Sequence, residues 1–321
     1  RNRIQVDGGW LVLPERIWTE MNFFVTAVSG LRIKPDGSGV LKLGDGVTFT
    51  SDFPLTVEGS VEMLSGATMT HTANGSSKDY GIDLTVTRSV TNHVGGSISA
   101  KGKGFGRNTG PGKPNTFDAE VGGNANRGAS HAGLANKEIG DICYGSPTRP
   151  DTMGSGGQSY SGGGTVRMTV AGELVNDGEI QANGPTVEYH AGAGGSVWVT
   201  AGRISGTGAI TANGGTTTND SWPTTGGGGR VAVWLTDPDA DFSQCDVTRI
   251  AAFGGDLKQV IRSAAGTVYL KTGAQAEDEG TLVIANSNAV AVTRYQTEIG
   301  SDMETVRVGS VVIRDAGRLR I

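Results

Sequence analysis

The sequence is short of cysteine, of charge and of long apolar runs, and each shortage excludes a class of protein. Two cysteines, Cys143 and Cys245, are too few for a disulfide scaffold and match no zinc motif, which leaves one disulfide or two buried thiols. Only 18% of the 321 residues are charged and the formal net charge is −5, so no basic stripe is present to bind nucleic acid. The longest apolar runs have about five residues, against roughly 20 for a transmembrane helix, so we expect no membrane span.

Glycine is in large excess. It accounts for 53 of 321 residues, or one in six, which excludes an ordinary helical protein. The 53 glycines and 10 prolines together make about a fifth of the chain, less than in a disordered low-complexity protein, and glycine does not recur every third residue as in collagen. The composition therefore predicts an ordered, glycine-rich, all-β protein.

An internal repeat is visible in the second half of the chain. Four clusters of small residues are each followed by a β-branched, alternating segment, and these segments start at Val166, Val197, Val231 and Val268. The starts are 31, 34 and 37 residues apart. A second short strand follows the first three, centred on Ile180, Ile210 and Ile250, and an earlier copy aligns Leu84 and Ile98 with Val166 and Ile180. Because two or three short strands cannot bury their own apolar residues, such copies stack, which predicts a parallel β-helix (solenoid).

The alternation within each copy predicts which side chains face the core. Val166, Met168 and Val170 are expected to point inward, and Arg167 and Thr169 outward. The competing fold is a β-sandwich. The solenoid is preferred because one strand, turn and strand motif recurs with insertions at a single place.

We expect one domain with three parts. Residues 1–94 form compact N-terminal rungs, residues 95–266 form rungs with glycine-rich loops, and residues 267–321 form C-terminal rungs. The Asn-Gly pairs at 183–184 and 213–214 are expected to accept positive φ where the chain turns. The last residues look like the middle of a strand, so we expect a piece of a longer chain.

The glycine-rich motifs as a set resemble repeat regions of large secreted bacterial surface proteins. The motifs lie at residues 95–105, 144–146, 154–157, 192–199, 226–232 and 265–271. The resemblance covers roughly residues 80–290 and implies a right-handed parallel β-helix, an extracellular or cell-surface location and no settled activity. Pectate-lyase-like enzymes and phage tailspikes share the β-helix plan, but a shared fold does not imply a shared function.

The long insertions all leave from one corner of the predicted solenoid. They span residues 103–164, 185–195, 215–229 and 255–266, and they lie side by side if successive copies superpose. Loops of this kind often carry function. The candidate ligand-binding residues on them are Trp222, Tyr189, Tyr160, His131 and Tyr144. Either these aromatic rings contact glycans by stacking on sugar faces, or they pin the loops onto the scaffold.

The same corner holds residue types that an enzyme acting on polysaccharide needs. A lyase needs a base and a cation beside a uronate carboxyl, and His190 or Tyr189 with Arg149 or Lys258 supply these. A hydrolase needs two carboxylates, and Asp151 with Glu188 supply them. Their spacing does not single them out as a catalytic set.

A calcium site is suggested by three acidic residues. Asp237, Asp239 and Asp241 stand at i, i+2 and i+4, a spacing that lets oxygen atoms converge on Ca²⁺. The glycine and the distal glutamate of an EF-hand are missing, so an acidic surface turn is the alternative. No other cofactor is expected.

Together these features predict a non-catalytic, extracellular structural or adhesive β-helix segment. Its expected partner is an extracellular polysaccharide or cell-surface glycan, or a second copy that binds through the ends of the solenoid. The alternative function is that of a polysaccharide lyase or glycoside hydrolase.

Overall fold

The structure is a computed structural model. It describes residues 2–5, 10–11, 23–26, 31–33, 39–114, 128–135, 142–219, 224–257, 261–287, 296–299 and 305–321. Over these residues the chain forms β-strands and one short 3₁₀ helix, Val247–Arg249, and contains no α-helix. The prediction of an all-β protein is confirmed.

The described strands are short, apart from two of ten or more residues. In chain order they are β1 (Asn2–Gln5), β2 (Trp10–Leu11), β3 (Phe23–Thr26), β4 (Leu31–Ile33), β5 (Val40–Leu43), β6 (Thr48–Ser51), β7 (Leu55–Val57), β8 (Ser60–Met63), β9 (Thr68–Thr70), β10 (Ile82–Val86), β11 (Val90–Asn92), β12 (Ser97–Ser99), β13 (Thr165–Asn176), β14 (Glu179–Gln181), β15 (Ser196–Ser205), β16 (Ala209–Thr211), β17 (Arg230–Leu235), β18 (Ile250–Ala251), β19 (Asp256–Leu257), β20 (Ile261–Arg262), β21 (Thr267–Lys271), β22 (Thr281–Ala285), β23 (Thr297–Glu298), β24 (Ser310–Arg314) and β25 (Leu319–Arg320).

Two large sheets contain most of these strands. Sheet 1 has the order β1-β3-β6-β9-β12-β14-β16-β18, and all its described pairings are parallel. Sheet 2 has the order β2-β4-β7-β10-β13-β15-β17-β21-β22-β24, and β5, β8 and β11 join it through the long strand β13. From β13 to β18 the chain alternates between the two sheets. Each strand therefore pairs with one a full repeat away in sequence.

The strand register follows the sequence repeats. Val166 pairs with Val197, Val197 with Val231, and Val231 with Val268. In sheet 1 the corresponding column is Ile98, Ile180, Ile210 and Ile250. The predicted alignment of Leu84 with Val166 is wrong by two residues, because Ile82 is the partner of Val166. A slip of two keeps every side chain on the same face, so alternation alone does not detect it.

The apolar side chains of both sheets form one core. Val166, Met168 and Val170 are buried, whereas Arg167 and Thr169 are exposed, which confirms the predicted orientation. The same cluster contains the isoleucine column of sheet 1, so the two sheets share this core. No disulfide joins Cys143, which is buried, to Cys245, which is half-buried.

The Asn-Gly pairs have a different role from the one expected. None of their four residues has a positive φ. The Asn183 Oδ1 atom accepts a hydrogen bond from the backbone N–H of Asn213 at 2.7 Å, and Asn213 Oδ1 accepts one from Phe253 N–H at 2.8 Å. The asparagines thus connect one repeat to the next. Gly184 and Gly214 are required for close packing, since a Cβ atom there would lie 2.4 Å or less from a backbone atom of a neighbouring loop.

The parallel pattern changes after β21. Strand β22 pairs with β21 in the antiparallel direction, through a connection of residues 272–280. A parallel crossover needs about a dozen residues or more, so this connection is too short for one. Beyond it, β24 pairs with β22 in parallel and is exposed along its whole length.

Candidate functional site

The loops of successive repeats lie against one another, as predicted. Val187 of one loop forms a parallel bridge with Thr217 of the next, and Thr217 N–H in turn donates to the Asp256 carbonyl at 3.2 Å. Gly194 N–H donates to the Gly227 carbonyl at 2.9 Å. The described parts of the four insertions therefore form one continuous corner.

Glycine-rich segments in this corner pack backbone against backbone without forming strands. Gly163 N–H donates to Ala193 O at 2.8 Å, and Ala193 N–H donates to Ser155 O at 3.0 Å. A Cβ atom on Gly227 would lie 1.8 Å from the Gly133 carbonyl oxygen, far inside the closest approach of real Cβ atoms. This packing explains the glycine excess, and it makes the corner a fixed structure.

Two of the predicted ligand-binding residues are buried beneath this corner. His131 is fully buried: its Nδ1 is 2.7 Å from the Gly194 carbonyl oxygen and its Nε2 is 2.8 Å from the Thr152 hydroxyl. The Tyr144 ring lies 4.6 Å from the His131 ring, and its hydroxyl donates to the Met153 carbonyl. His131 and Tyr144 therefore pin the long loop onto the scaffold and do not line an open surface. For these two rings the structure favours the second of the alternatives that the sequence left open, because sequence alone does not distinguish a buried loop residue from an exposed one.

Burial shifts the pKa values of His131, Tyr144 and a second buried histidine, His71. Desolvation, with a smaller effect from the Arg230 guanidinium, lowers the pKa of His131 from 6.5 to about 3, and burial raises the pKa of Tyr144. His71, another buried histidine, has its pKa lowered to about 4 by desolvation. Both imidazoles are therefore neutral in the folded protein at pH 5 to 7.

We expect stability to fall as the pH is lowered from 6.5 towards 4. The unfolded chain binds protons at histidine near pH 6.5, whereas the folded protein takes them up only near pH 3 to 4, so acid favours unfolding. Thermal melting as a function of pH measures this loss of stability.

His131→Gln is expected to be less stable at pH 7 but to lose less stability between pH 7 and pH 4 than the parent. His93→Gln, a change at a half-exposed histidine paired with Glu62, serves as the control. Equal pH dependence in the parent and in His131→Gln would contradict the prediction.

Four of the predicted residues come together at the corner, and we call Tyr160, Glu188, Tyr189 and His190 the loop-corner cluster. Tyr160 and Glu188 are exposed, Tyr189 is half-buried and His190 is buried. The Tyr189 and His190 rings are 5.7 Å apart, and a hydrogen bond with the Glu188 carboxylate raises the pKa of the Tyr189 hydroxyl. Tyr160 is exposed and close enough to Tyr189 to influence its pKa. His190 has a left-handed backbone with φ of 55°, and its Nδ1 is 2.7 Å from the Thr224 hydroxyl. Desolvation lowers the pKa of His190.

The remaining predicted residues lie elsewhere. Arg149 forms an ion pair with Glu277 and lies over the Trp234 ring, 5.2 Å from its centre. Asp151 has an exposed side chain, and its backbone carbonyl accepts a hydrogen bond from Lys78. Trp222 and Lys258 lie outside the described residues.

Sequence reasoning missed a cleft on the outer face of sheet 2. Its volume is ≈ 650 Å³. We call it the aromatic–arginine cleft; it is lined by Gly145, Ser146, Pro147, Thr148, Arg149, Trp234, Glu277, Asp278, Thr305, Val306 and Arg307. The sequence did contain a signal, because Trp234 stands between the core residues Val233 and Leu235 of β17 and alternation therefore places it on the outward face.

Two of the three acidic residues have polar partners of their own. Asp237 accepts a hydrogen bond from Arg203 at 2.9 Å, and Asp241 accepts two from Ser243, which lower the pKa of Asp241. Asp239 is exposed. Over the described part of the chain, no group of three or more His, Cys, Asp or Glu side chains is arranged to hold a metal ion. Calcium binding by Asp237, Asp239 and Asp241 stays a prediction.

Comparison of the chain with protein-family models, with curated proteins and with solved structures finds no match in any of the three. Among the residues that the structure describes, none belongs to a helix long and apolar enough to cross a bilayer.

Proposed function

We propose that the chain is a segment of an extracellular right-handed parallel β-helix with a structural or adhesive role, and that its loop-corner cluster contacts a polysaccharide or a cell-surface glycan. The observation that carries this proposal is the parallel stacking of the strands from β10 to β21 in two sheets. The two sheets share one core, and the long loops are hydrogen-bonded to one another at one side. Stacked repeats of this kind make extended scaffolds with large lateral surfaces.

The way the loops are held favours a binding surface. Backbone hydrogen bonds from Gly163, Gly194 and Gly227 join the described loops, so the side chains at the corner have a fixed backbone beneath them. A fixed surface loses less conformational entropy when a ligand binds, and affinity rises accordingly.

The side chains of the cluster suit a sugar. Tyr160 and Tyr189 supply flat apolar rings with a polar edge, and the Glu188 carboxylate supplies an acceptor beside them. A mixture of aromatic faces and a few polar groups is typical of sites for small polar ligands.

The positions of the candidate catalytic residues favour binding over elimination. A lyase needs a base and a cation at the same substrate carboxyl. His190 contacts Thr224, whereas Arg149 is held by Glu277 and Trp234 in the aromatic–arginine cleft. The candidate base, His190, and the candidate cation, Arg149, thus contact different sets of residues.

The test compares Tyr189→Ala with Tyr189→Phe on columns that carry a panel of neutral and acidic polysaccharides. Tyr189→Ala removes the ring and is expected to weaken retention about five- to tenfold, the equivalent of about 1 to 1.5 kcal/mol. Tyr189→Phe keeps the ring and is expected to bind like the parent. The parent is expected to generate no new reducing ends and no unsaturated uronate.

Turnover of any polysaccharide by the parent would replace this proposal with the lyase or hydrolase alternative. Equal retention of the parent and Tyr189→Ala would remove the loop-corner cluster as a contact surface. Self-association through the ends of the sheets would then be the leading account.

A further inference from the structure

The aromatic–arginine cleft has rigid walls. Trp234 is one of its lining residues, and the Trp234 indole N–H donates to the Thr148 carbonyl at 3.0 Å, which ties residues 145–149 to strand β17. Another part of the lining, Glu277, is held by the Tyr269 hydroxyl, which donates to the Glu277 carbonyl at 2.6 Å and accepts from Gly280 N–H at 2.9 Å. The outward aromatic side chains of sheet 2 therefore hold both parts of the lining in place.

Arg149, one of the residues that line the cleft, is held in one orientation by its neighbours. The Arg149 guanidinium lies 5.2 Å from the centre of the Trp234 ring and forms an ion pair with Glu277. Stacking on the ring and pairing with a carboxylate fix the plane of the guanidinium, although about half of the side chain stays exposed. Its remaining N–H donors are therefore presented to the cleft in a defined direction.

The charges of the lining balance. Arg149 and Arg307 contribute two positive charges, and Glu277 and Asp278 contribute two negative charges. A polyanion meets the two carboxylates and a polycation meets the two guanidinium groups, so the lining disfavours ligands with a high charge of either sign. A neutral ligand is free of both penalties.

The polar groups match a ligand with many hydroxyl groups. Carboxylates accept hydrogen bonds and guanidinium groups donate them, often in pairs, so adjacent hydroxyls that both donate and accept find partners on either side. Pro147, Val306 and Trp234 add apolar surface for C–H groups. The volume of ≈ 650 Å³ lies within the range of roughly 300 to 1,000 Å³ that is usual for small-molecule sites.

We infer that the aromatic–arginine cleft binds a neutral pyranose oligosaccharide, with Arg149 and Asp278 as its hydrogen-bonding partners. This inference rests on the proposed contact with glycans. It assigns the sugar class and a site separate from the loop-corner cluster.

The experiment titrates the whole chain with four probes: cellohexaose, maltohexaose, mannohexaose and hexagalacturonate. Calorimetry measures each Kd. At least one neutral hexaose is expected to bind the parent more tightly than hexagalacturonate does. Loss of charged hydrogen bonds in Arg149→Ala is expected to weaken that binding about tenfold or more. Asp278→Asn, a milder change at an exposed side chain, is expected to weaken it as well.

Arg320→Ala is the matched control, because Arg320 is also an exposed arginine paired with a glutamate, Glu298, and does not line the cleft. It is expected to keep the parent Kd. Thermal melting checks that all variants are folded.

Three outcomes would overturn the inference: preference for hexagalacturonate, parent affinity in Arg149→Ala, or no binding of any probe by the parent. If Tyr189→Ala loses hexaose binding and Arg149→Ala keeps it, the inference fails while the proposed function stands. The polysaccharide columns decide the proposed function independently, since they present long polymers and report on Tyr189.

Discussion

Val199→Asp is expected to lower the free energy of unfolding by about 3 kcal/mol or more. Val199 is fully buried in strand β15, between Met168 of β13 and Val233 of β17. An aspartate there would place a carboxylate among apolar side chains of the shared core. It would have to stay charged without a partner or take up a proton, and both cost stability. Denaturant unfolding followed by circular dichroism measures the change.

Thr169→Asp is the control for this substitution. Thr169 lies on β13, one residue after Met168, and its side chain is exposed. The aspartate there stays hydrated, so we expect a change of about 0.5 kcal/mol or less. Equal stability of the Val199 and Thr169 variants would contradict the prediction, and a larger loss in Thr169→Asp would mean that the inward and outward positions of these strands are exchanged.

The repeat pattern in the sequence was enough to predict the register of the central strands. The column Val166, Val197, Val231 and Val268 was predicted from β-branched segments that follow clusters of small residues, and the structure pairs these residues directly. Such agreement is expected where one local pattern recurs, because each copy has to match the next along its whole length. The pairing of Leu84 failed because its copy lacks the glycine cluster that marks the start of the later ones.

Whether a strand runs parallel or antiparallel to its neighbour was harder to predict than where the strand lies in the sequence. Residues 267–321 were predicted to form C-terminal rungs, and β22 lies within them, but nothing in its alternation shows that it runs antiparallel to β21. That direction depends on the length and turn structure of residues 272–280. Within that segment Gln275 Oε1 accepts from Thr272 N–H at 2.9 Å, a contact that alternation does not predict.

The candidate site was only partly accessible to sequence reasoning. Tyr189 and His190 are neighbours in the chain, so their proximity was evident. Arg149 and Glu277 are 128 residues apart and meet only because residues 145–149 fold across sheet 2 to reach Trp234. Long loops carry little periodicity, and their contacts therefore follow from the folded scaffold rather than from local pattern.

Glycine composition was the first unusual feature of the chain, and its structural role can be tested at one position in each repeat. Gly195, Gly229 and Gly266 each come directly before a strand of sheet 2 and stack on the preceding repeat. A Cβ atom on Gly195 would lie 1.9 Å from the Gly164 carbonyl oxygen, and one on Gly229 would lie 2.1 Å from the Gly195 carbonyl oxygen. Those two carbonyls accept hydrogen bonds from Ser196 N–H at 3.1 Å and from Arg230 N–H at 2.9 Å.

Gly195→Ala is therefore expected to cost about 4 kcal/mol or more, a large part of the total stability of a typical protein. To accommodate the methyl group, the two repeats must separate by about an ångström, whereas paired strands stay about 4.8 Å apart. The hydrogen bond from Ser196 to Gly164 and the packing of the adjoining core residues would be lost together. The yield of folded protein and the denaturant midpoint measure the effect.

Gly75→Ala is the matched control and is expected to change stability in the opposite direction. Nothing lies within 4 Å of a Cβ atom at Gly75, and its φ is not in the left-handed region. Alanine there restricts the unfolded chain without a clash in the folded one, which gives a gain of up to about 1 kcal/mol. If both variants unfold at the parent midpoint, the repeats are not packed backbone to backbone at Gly195. The glycine excess would then need another explanation, because the close approach of the Gly164 carbonyl is what forbids a side chain there.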